Sequence, residues 1–295
     1  PPATMNGGLR NDTCVVENGA DVVTEAGAAG TDTVQASVSY TLGANVENLT
    51  LTGAGNINGT GNALVNTING NIGANILDGG AGADTMAGSI GNDTYIVDNT
   101  GDVVTEAASA GTDLVQSSMG FTLSANVENL TLTGGLAVNG TGNNLANTIL
   151  GNTNVNILSG ADGIDTLNAG AGNDDLFGGT GSDNLTGGTG ADRFRFVTAP
   201  NAATNVEHIL DIAVVDDTIF LDRDIFTGIV ANGTLAAAAF KAGTVATDAD
   251  DRIIYDAATG NIFYDADGTG AVAQILFVTV TPGAALTNAD FNGYM

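Results

Sequence analysis

The sequence predicts an all-β solenoid closed at its C-terminal end by a β-rich capping region. Three observations carry this: a nine-residue period, an 81-residue duplication that preserves that period, and one large apolar residue in each nine. NDTCVVENGADVVTEAGAAGTDTVQ from Asn11 recurs as NDTYIVDNTGDVVTEAASAGTDLVQ from Asn92, 81 residues later. The same shift relates NVENLTLTG at 45–53 to its copy at 126–134, and NGTGN at 58–62 to 139–143. Self-similarity at a fixed period is the mark of repeat architectures.

The finer unit runs from Gly61 as GNALVNTIN, GNIGANILD, GGAGADTMA and GSIGNDTYI. From Gly142 it runs as GNNLANTIL, GNTNVNILS, GADGIDTLN, AGAGNDDLF, GGTGSDNLT and GGTGADRFR. GGLRNDTCV from Gly7 fits the same frame. Gly favours positions one, two and four, where a tight loop needs positive φ angles and carbonyls must come close to one another. Positions seven to nine read as a short strand. Its central residue (Ile68, Leu77, Met86, Tyr95, Ile149, Leu158, Leu167, Leu176, Leu185 or Phe194) points inward, because side chains alternate along a strand. One loop and one strand cannot bury that residue alone, so the units must stack. Cys14 holds the same position in the first unit and is read as a small buried hydrophobe.

GGTGSDNLT and GGTGADRFR resemble the repeats-in-toxin (RTX) nonapeptide, a calcium-binding family. The resemblance implies a right-handed parallel β-roll (β-helix) with two units per coil, equivalent loops 18 residues apart, and Ca2+ between them. Asp165 then pairs with Asp183 and Asp174 with Asp192, while Asp84 faces Asn66 and Asp93 faces Asn75. The metal ligands implied are Asp165, Asp174, Asp183, Asp192, Asp84 and Asp93, with the loop positions Gly160, Asp162, Gly178, Thr180, Gly187 and Thr189. Calcium takes six to eight oxygens and mixes carboxylates with carbonyls, which facing Asp-containing glycine loops supply. Single Asp-Gly turns need no metal, but four consecutive units with Asp at position six are a different matter. Where position six is Asn, in 61–78 and 142–159, metal-free coils are expected, with Asn side-chain amides stacking in place of the ion.

The segments 14–53 and 95–134 carry alternating strand-like pieces such as NLTL. They read as irregular coils continuing the solenoid. Asp98, Asp102, Glu106 and Asp113 either cluster near a metal or form a solvated acidic face, the second being the commoner case.

The nine-residue period stops at Phe196. A short Ala-rich helix is expected near LAAAAF, a hairpin around the Ala-Ala-Thr-Gly turn of DRIIYDAATGNIFYDADG, and a strand at QILFVTV. Asp265, Asp267 and Gly268 match the start of an EF-hand loop, but Leu276 stands where its bidentate Glu belongs, so a turn is expected. GADRFRF, NVEHILDI, DDTIFLD and LTNADF resemble the C-terminal domain of type I secreted proteins such as the serralysin-type proteases. Three segments result: 1–141, the first copy and the start of the second, with nonapeptides at 61–96; 142–195, the nonapeptide β-roll; and 196–295, a capping domain that resembles a type I secretion domain.

Composition bounds the function. The net charge is −27, from 33 acidic and 6 basic residues, and Arg10 is the only basic residue before Arg193. Such a field opposes compaction unless cations neutralise it, and it excludes nucleic acid as a partner. A hydrophobic content of 43% separates the chain from disordered acidic segments. One Cys excludes a disulfide framework. No run is apolar enough to span a membrane as a helix. His208 is the only histidine, which excludes a two-His zinc motif, and a structural role is expected of it. Neither a nucleophile elbow nor a phosphate-binding glycine loop is present.

The function expected is non-enzymatic: a secreted, calcium-binding structural or interaction protein of a bacterial surface layer, adhesin or matrix. It would fold on meeting calcium outside the cell, with self-association or surface glycans as possible contacts and export by type I secretion machinery implied by the resemblance. The alternative is the non-catalytic C-terminal portion of a larger secreted protease, lipase or polysaccharide-modifying enzyme.

Overall fold

A computed structural model describes residues 1–27 and 30–295, in two compact units, 1–133 and 134–295. In the first unit, one sheet stacks Thr13–Val16, Thr33–Ala36, Asn48–Leu51, Thr67–Asn69, Thr85–Ala87 and Val103–Thr105 in parallel. A second stacks Tyr40–Thr41, Gly59–Asn62, Ile76–Gly80, Thr94–Val97, Leu114–Ser117 and Asn129–Leu132, also in parallel.

Inside the nonapeptide run the step between paired strands is 18 residues, as Thr67 opposite Thr85 and Ile76 opposite Thr94 show. Outside it the coil continues with a longer and then a shorter turn: Thr94 lies opposite Leu114, and Leu114 opposite Asn129. The segments 14–53 and 95–134 are thus coils of the solenoid whose loops changed length. Because 81 is an odd multiple of nine, the second copy enters half a coil out of phase. Thr13–Val16 lies in the first sheet, and its duplicate Thr94–Val97 lies in the second.

Each position-eight residue enters the core by the alternation of the strand. Leu49, Ile68 and Met86 stack in one sheet, and Leu77, Tyr95, Val115 and Leu130 in the other, all buried. Burying one such side chain contributes about 1.5–3 kcal/mol, so the stack is the main apolar support of each coil. Cys14 departs from the expectation and is only half-buried. Its strand ends the first sheet, so no coil covers it from that side.

In the second unit, Gly140–Thr141, Ile157–Asp162, Asp175–Thr180 and Arg193–Phe196 form one parallel stack. Thr148–Leu150, Thr166–Asn168 and Asn184–Thr186 form the other. The parallel stacking goes on after the period of nine ends. Thr218–Asp222 adds to Arg193–Phe196, and Glu207–Ile209 adds to Asn184–Thr186, through one larger coil.

The C-terminal strands then finish both sheets. Phe291–Tyr294 pairs with Thr218–Asp222, and Ile275–Thr279 pairs with Glu207–Ile209. Ile253–Asp256 and Asn261–Tyr264 form the expected antiparallel hairpin, which continues onto Ile275–Thr279. Aromatic rings replace the stacked Leu here, with Phe277 against Phe196 and Phe226 at centroid distances of 5.2 Å each. The region caps the solenoid by filling its open end. LAAAAF holds only a single 3-10 turn, Ala237–Ala239, because Phe240 is drawn at once into a strand beside Ile253. Asp265 accepts the N–H groups of Asp267 and Gly268, so YDADG is a turn, as expected. Among the described residues no helix is long and apolar enough to cross a membrane.

Candidate metal centre

The loops that join these strands carry the position-six residues in four ladders. A single contact repeats along each ladder: the backbone N–H at position six donates to the carboxylate one coil later. Asp165 donates to Asp183 Oδ1 at 2.8 Å, and Asp174 to Asp192 Oδ1 at 2.9 Å. Asn66 donates to Asp84 Oδ1 and Asn75 to Asp93 Oδ1, each at 2.7 Å. All four pairs expected from the 18-residue spacing are therefore adjacent.

One carboxylate oxygen of each Asp is satisfied in this way; the other is not. The Oδ2 atoms of Asp84, Asp93, Asp165, Asp174, Asp183 and Asp192 are buried and accept no hydrogen bond. An unsatisfied buried polar group costs about 1–3 kcal/mol, and more when charged. Each orphan sits against the start of its own loop. A Cβ added at Gly160 would lie 2.3 Å from Asp165 Oδ2 and 2.5 Å from the Gly178 carbonyl oxygen. The carboxylate and the carbonyl of the next coil thus converge on the space that a glycine leaves open. At Gly178 and Gly187 the added Cβ would lie 2.5 Å from the Oδ2 of Asp183 and Asp192 respectively. Ala169 occupies the equivalent position before Asp174, so a methyl group is tolerated in one unit.

The remaining predicted loop residues lie on the rim. Asp162 is the strand partner of Thr180, whose hydroxyl donates to the Asp162 carboxylate. Thr189 exchanges backbone hydrogen bonds with Gly170 and Gly172 of the previous coil. Converging carboxylate and carbonyl oxygens, with no competing soft ligand, fit a hard divalent cation.

The electrostatics agree. Burial pushes the Asp165 carboxyl up to about 7, with the neighbouring Asp183 and Asp162 charges adding to the effect. Asp84 and Asp192 rise to about 6 for the same first reason, and Asp93, Asp174 and Asp183 also move upward. A cation reverses the cause, since a nearby positive charge favours the ionised form.

The asparagine coils solve the loop differently. Asn66 Oδ1 accepts the N–H of Asn62 in its own loop, while its Nδ2 donates to the carbonyls of Val46 and Glu47. Asn75 and Asn156 donate likewise to Ile57 and Val138. The amides therefore bind carbonyls of the preceding coil, and within their own loops Asn75 and Asn156 also donate to the side-chain oxygens of Asn71 and Asn152.

Each ladder ends on an acid beyond the repeats. Asp84 donates to Asp102, Asp93 to Asp113, Asp183 to Glu207 and Asp192 to Asp217. Asp102, Glu106 and Asp113 are buried, so these three do not form a solvated face, whereas Asp98 is exposed. Glu207 and Asp217 escaped the sequence reading, because the loops before them are six and seven residues longer than the period allows. Asp217-Thr218-Ile219 does repeat Asp165-Thr166-Leu167, an acid just before a strand, and that local match was the available signal. Burial, with Asp183 beside it, raises the Glu207 carboxyl to about 9. His208 Nδ1 lies 2.6 Å from the Thr279 hydroxyl, a structural contact as expected.

Comparison with known proteins places the ladders. Residues 60–95, 141–176, 150–185 and 159–194 match the model of the RTX calcium-binding nonapeptide repeat, and such repeats bind Ca2+. A search of curated proteins returns no match. Among solved structures, the chain is similar to the AlgE6R3 subunit of the Azotobacter vinelandii mannuronan C5-epimerase. The identity is 27%, over 50% of this chain and 78% of that one, with a TM-score of 0.35.

Proposed function

With a calcium-binding RTX β-roll as the premise, we propose that this chain is a secreted, non-catalytic structural or interaction protein whose folding is completed by calcium outside the cell. The observation that carries this reading is the row of buried, unpartnered Oδ2 atoms at Asp84, Asp93, Asp165, Asp174, Asp183 and Asp192. As ligands, Asp165 acts with Asp183, and Asp174 with Asp192. The carbonyls around Gly160, Gly178 and Gly187 and the rim residues Asp162, Thr180 and Thr189 complete each shell. Glu207 and Asp217 serve the last coil.

In calcium-poor cytosol a charge of −27 keeps the chain expanded, a state suited to threading an export channel. Extracellular calcium modules bind at roughly 10⁻⁴–10⁻³ M. At about 1 mM calcium and a Kd of about 10⁻⁴ M, each site adds about 1.4 kcal/mol to the folded state. Several sites together then decide whether the Asp coils are folded. A structural role is further supported by the only histidine being tied to Thr279 and by acids that are explained as cation ligands.

Small-angle scattering of the full chain, first in chelator and then in millimolar calcium, tests this. The reading predicts an expanded particle that becomes compact on adding calcium. One compact radius in both conditions would remove the export and folding switch.

A further inference from the structure

We infer that Asp93, which closes the first nonapeptide run, holds a divalent cation together with Glu106, Asp113 and the Tyr95 hydroxyl in the coil that follows that run, an extension that rests on Asp93 being a calcium ligand. One carboxylate oxygen from each of the three acids lies within 4.8 Å of the others. All three are buried, Asp113 completely. Acidic neighbours alone do not make a site, but two of these have an oxygen with nothing to bind. Asp93 spends Oδ1 on the Asn75 N–H, and Asp113 spends Oδ1 on the Asp93 N–H. Their Oδ2 atoms are buried and unpartnered. The Asp93 Oδ2 is aimed into the group: it and the Tyr95 hydroxyl would lie 2.2 and 2.5 Å from a Cβ at Gly88. The Tyr95 hydroxyl in turn donates to Glu106.

The duplicated copy explains why the group assembles here. Its equivalents are Asp12, Glu25 and Asp32, with Cys14 in place of Tyr95. There Glu25 turns away and accepts the N–H groups of Gly7 and Gly8. In the second copy the Tyr95 hydroxyl accepts the Gly88 N–H at 2.6 Å, the donor equivalent to that of Gly7. With that donor taken, Glu106 faces Asp93 and Asp113 instead. Glu106 and Asp113 also lie outside the matched repeats, between the first, which ends at residue 95, and the next, which begins at 141. Three carboxylates and a phenol oxygen are a hard donor set of the calcium class.

Terbium(III), a calcium-sized ion whose emission is sensitised by a nearby tyrosine, is the probe. Added to the full-length chain, it should give tyrosine-sensitised emission that Tyr95→Phe abolishes without lowering the number of ions bound. Glu106→Gln and Asp113→Asn should each abolish the emission and lower the number bound by one, with far-UV circular dichroism in saturating calcium confirming that each variant folds. Asp183→Asn should lower the number bound and leave the emission intact. If it does not, the nonapeptide reading fails and this site is untouched. Unchanged emission and stoichiometry in both Glu106→Gln and Asp113→Asn would overturn the site. So would sensitised emission that persists in Tyr95→Phe.

Discussion

Within the second unit, residues 142–159 carry Asn at position six and residues 160–195 carry Asp, on neighbouring strands of the same two stacks in the same 18-residue register. Asn147 and Asn156 each accept a loop N–H, from Asn143 and Asn152, with the side-chain oxygen. Asn156 also has a donor to give, and it gives it to Val138. Asp165, Asp174, Asp183 and Asp192 have no such donor, and each is left with a buried, unpartnered oxygen. The difference is one amide NH2 against one oxygen. It teaches that a coil can be closed by an amide donor its own side chain supplies, or can leave an oxygen that a cation would have to satisfy. The asparagine coils carry their own closing donor, and the aspartate coils leave an oxygen for a cation to meet.

Calcium removal should separate the two regions most strongly. In chelator at neutral pH, amide hydrogen exchange of Asn184–Thr186, Arg193–Phe196 and Thr218–Asp222 should accelerate by orders of magnitude, while Thr67–Asn69 stays protected. Equal protection of both sets would erase the comparison.

A single ligand comes next. Asp183→Ala removes the acceptor of the Asp165 N–H and one ligand of the pair, so it should lose that site and cost about 1–3 kcal/mol. Asp174–Asp192 should remain, with weaker affinity. Calcium stoichiometry by calorimetry reads this directly, and an unchanged count refutes the pairing.

The converse substitution sharpens the contrast. Asn156→Asp deletes the donor to Val138 and leaves an orphan oxygen beside Asp174, so in chelator it should cost about 1–2 kcal/mol. Millimolar calcium should recover part of that loss, a sign of rescue that thermal melts in the two media would show.

The pH acts on the same carboxylates. Asp165 is raised to about 7, and Asp84 and Asp192 to about 6, against an unfolded value near 4. Between about pH 4 and 7 the calcium-free native state therefore holds more protons than the unfolded chain. Its stability from these groups is full below pH 4 and is lost as pH rises through 6 to 7. Metal-stripped protein should be more stable at pH 5 than at pH 8, and calcium should add more at pH 8. Denaturant melts at the two pH values, with and without calcium, check both signs.

Much of this was legible in the sequence, because a period of nine, read with the two units per coil that the RTX resemblance implies, sets which residues face each other as long as it lasts. With the two units per coil that the RTX resemblance implies, Asp165 falls opposite Asp183 and Asp84 opposite Asn66, and both pairs are adjacent in the structure. Counting fails where loops change length, so it missed Glu207 and Asp217, although their place before a strand matches the repeats. It also cannot distinguish a buried acid from an exposed one in an irregular coil. The pattern groups Asp113 with Asp98, as a metal cluster or as a solvated face, yet of the two only Asp113 is buried, where it accepts the Asp93 N–H. The half-burial of Cys14 depends on its strand lying at the end of a sheet, a property of stacking order and not of local pattern.

The most direct test is a calcium titration of metal-stripped protein at neutral pH, followed by far-UV circular dichroism. Conditional closure of the Asp coils predicts a cooperative gain of β signal as calcium approaches the millimolar range, starting from a partial signal held by the asparagine coils. A full native signal in chelator, unchanged by calcium, would mean that the buried carboxylates close their coils as neutral acids and that calcium does not fold this protein.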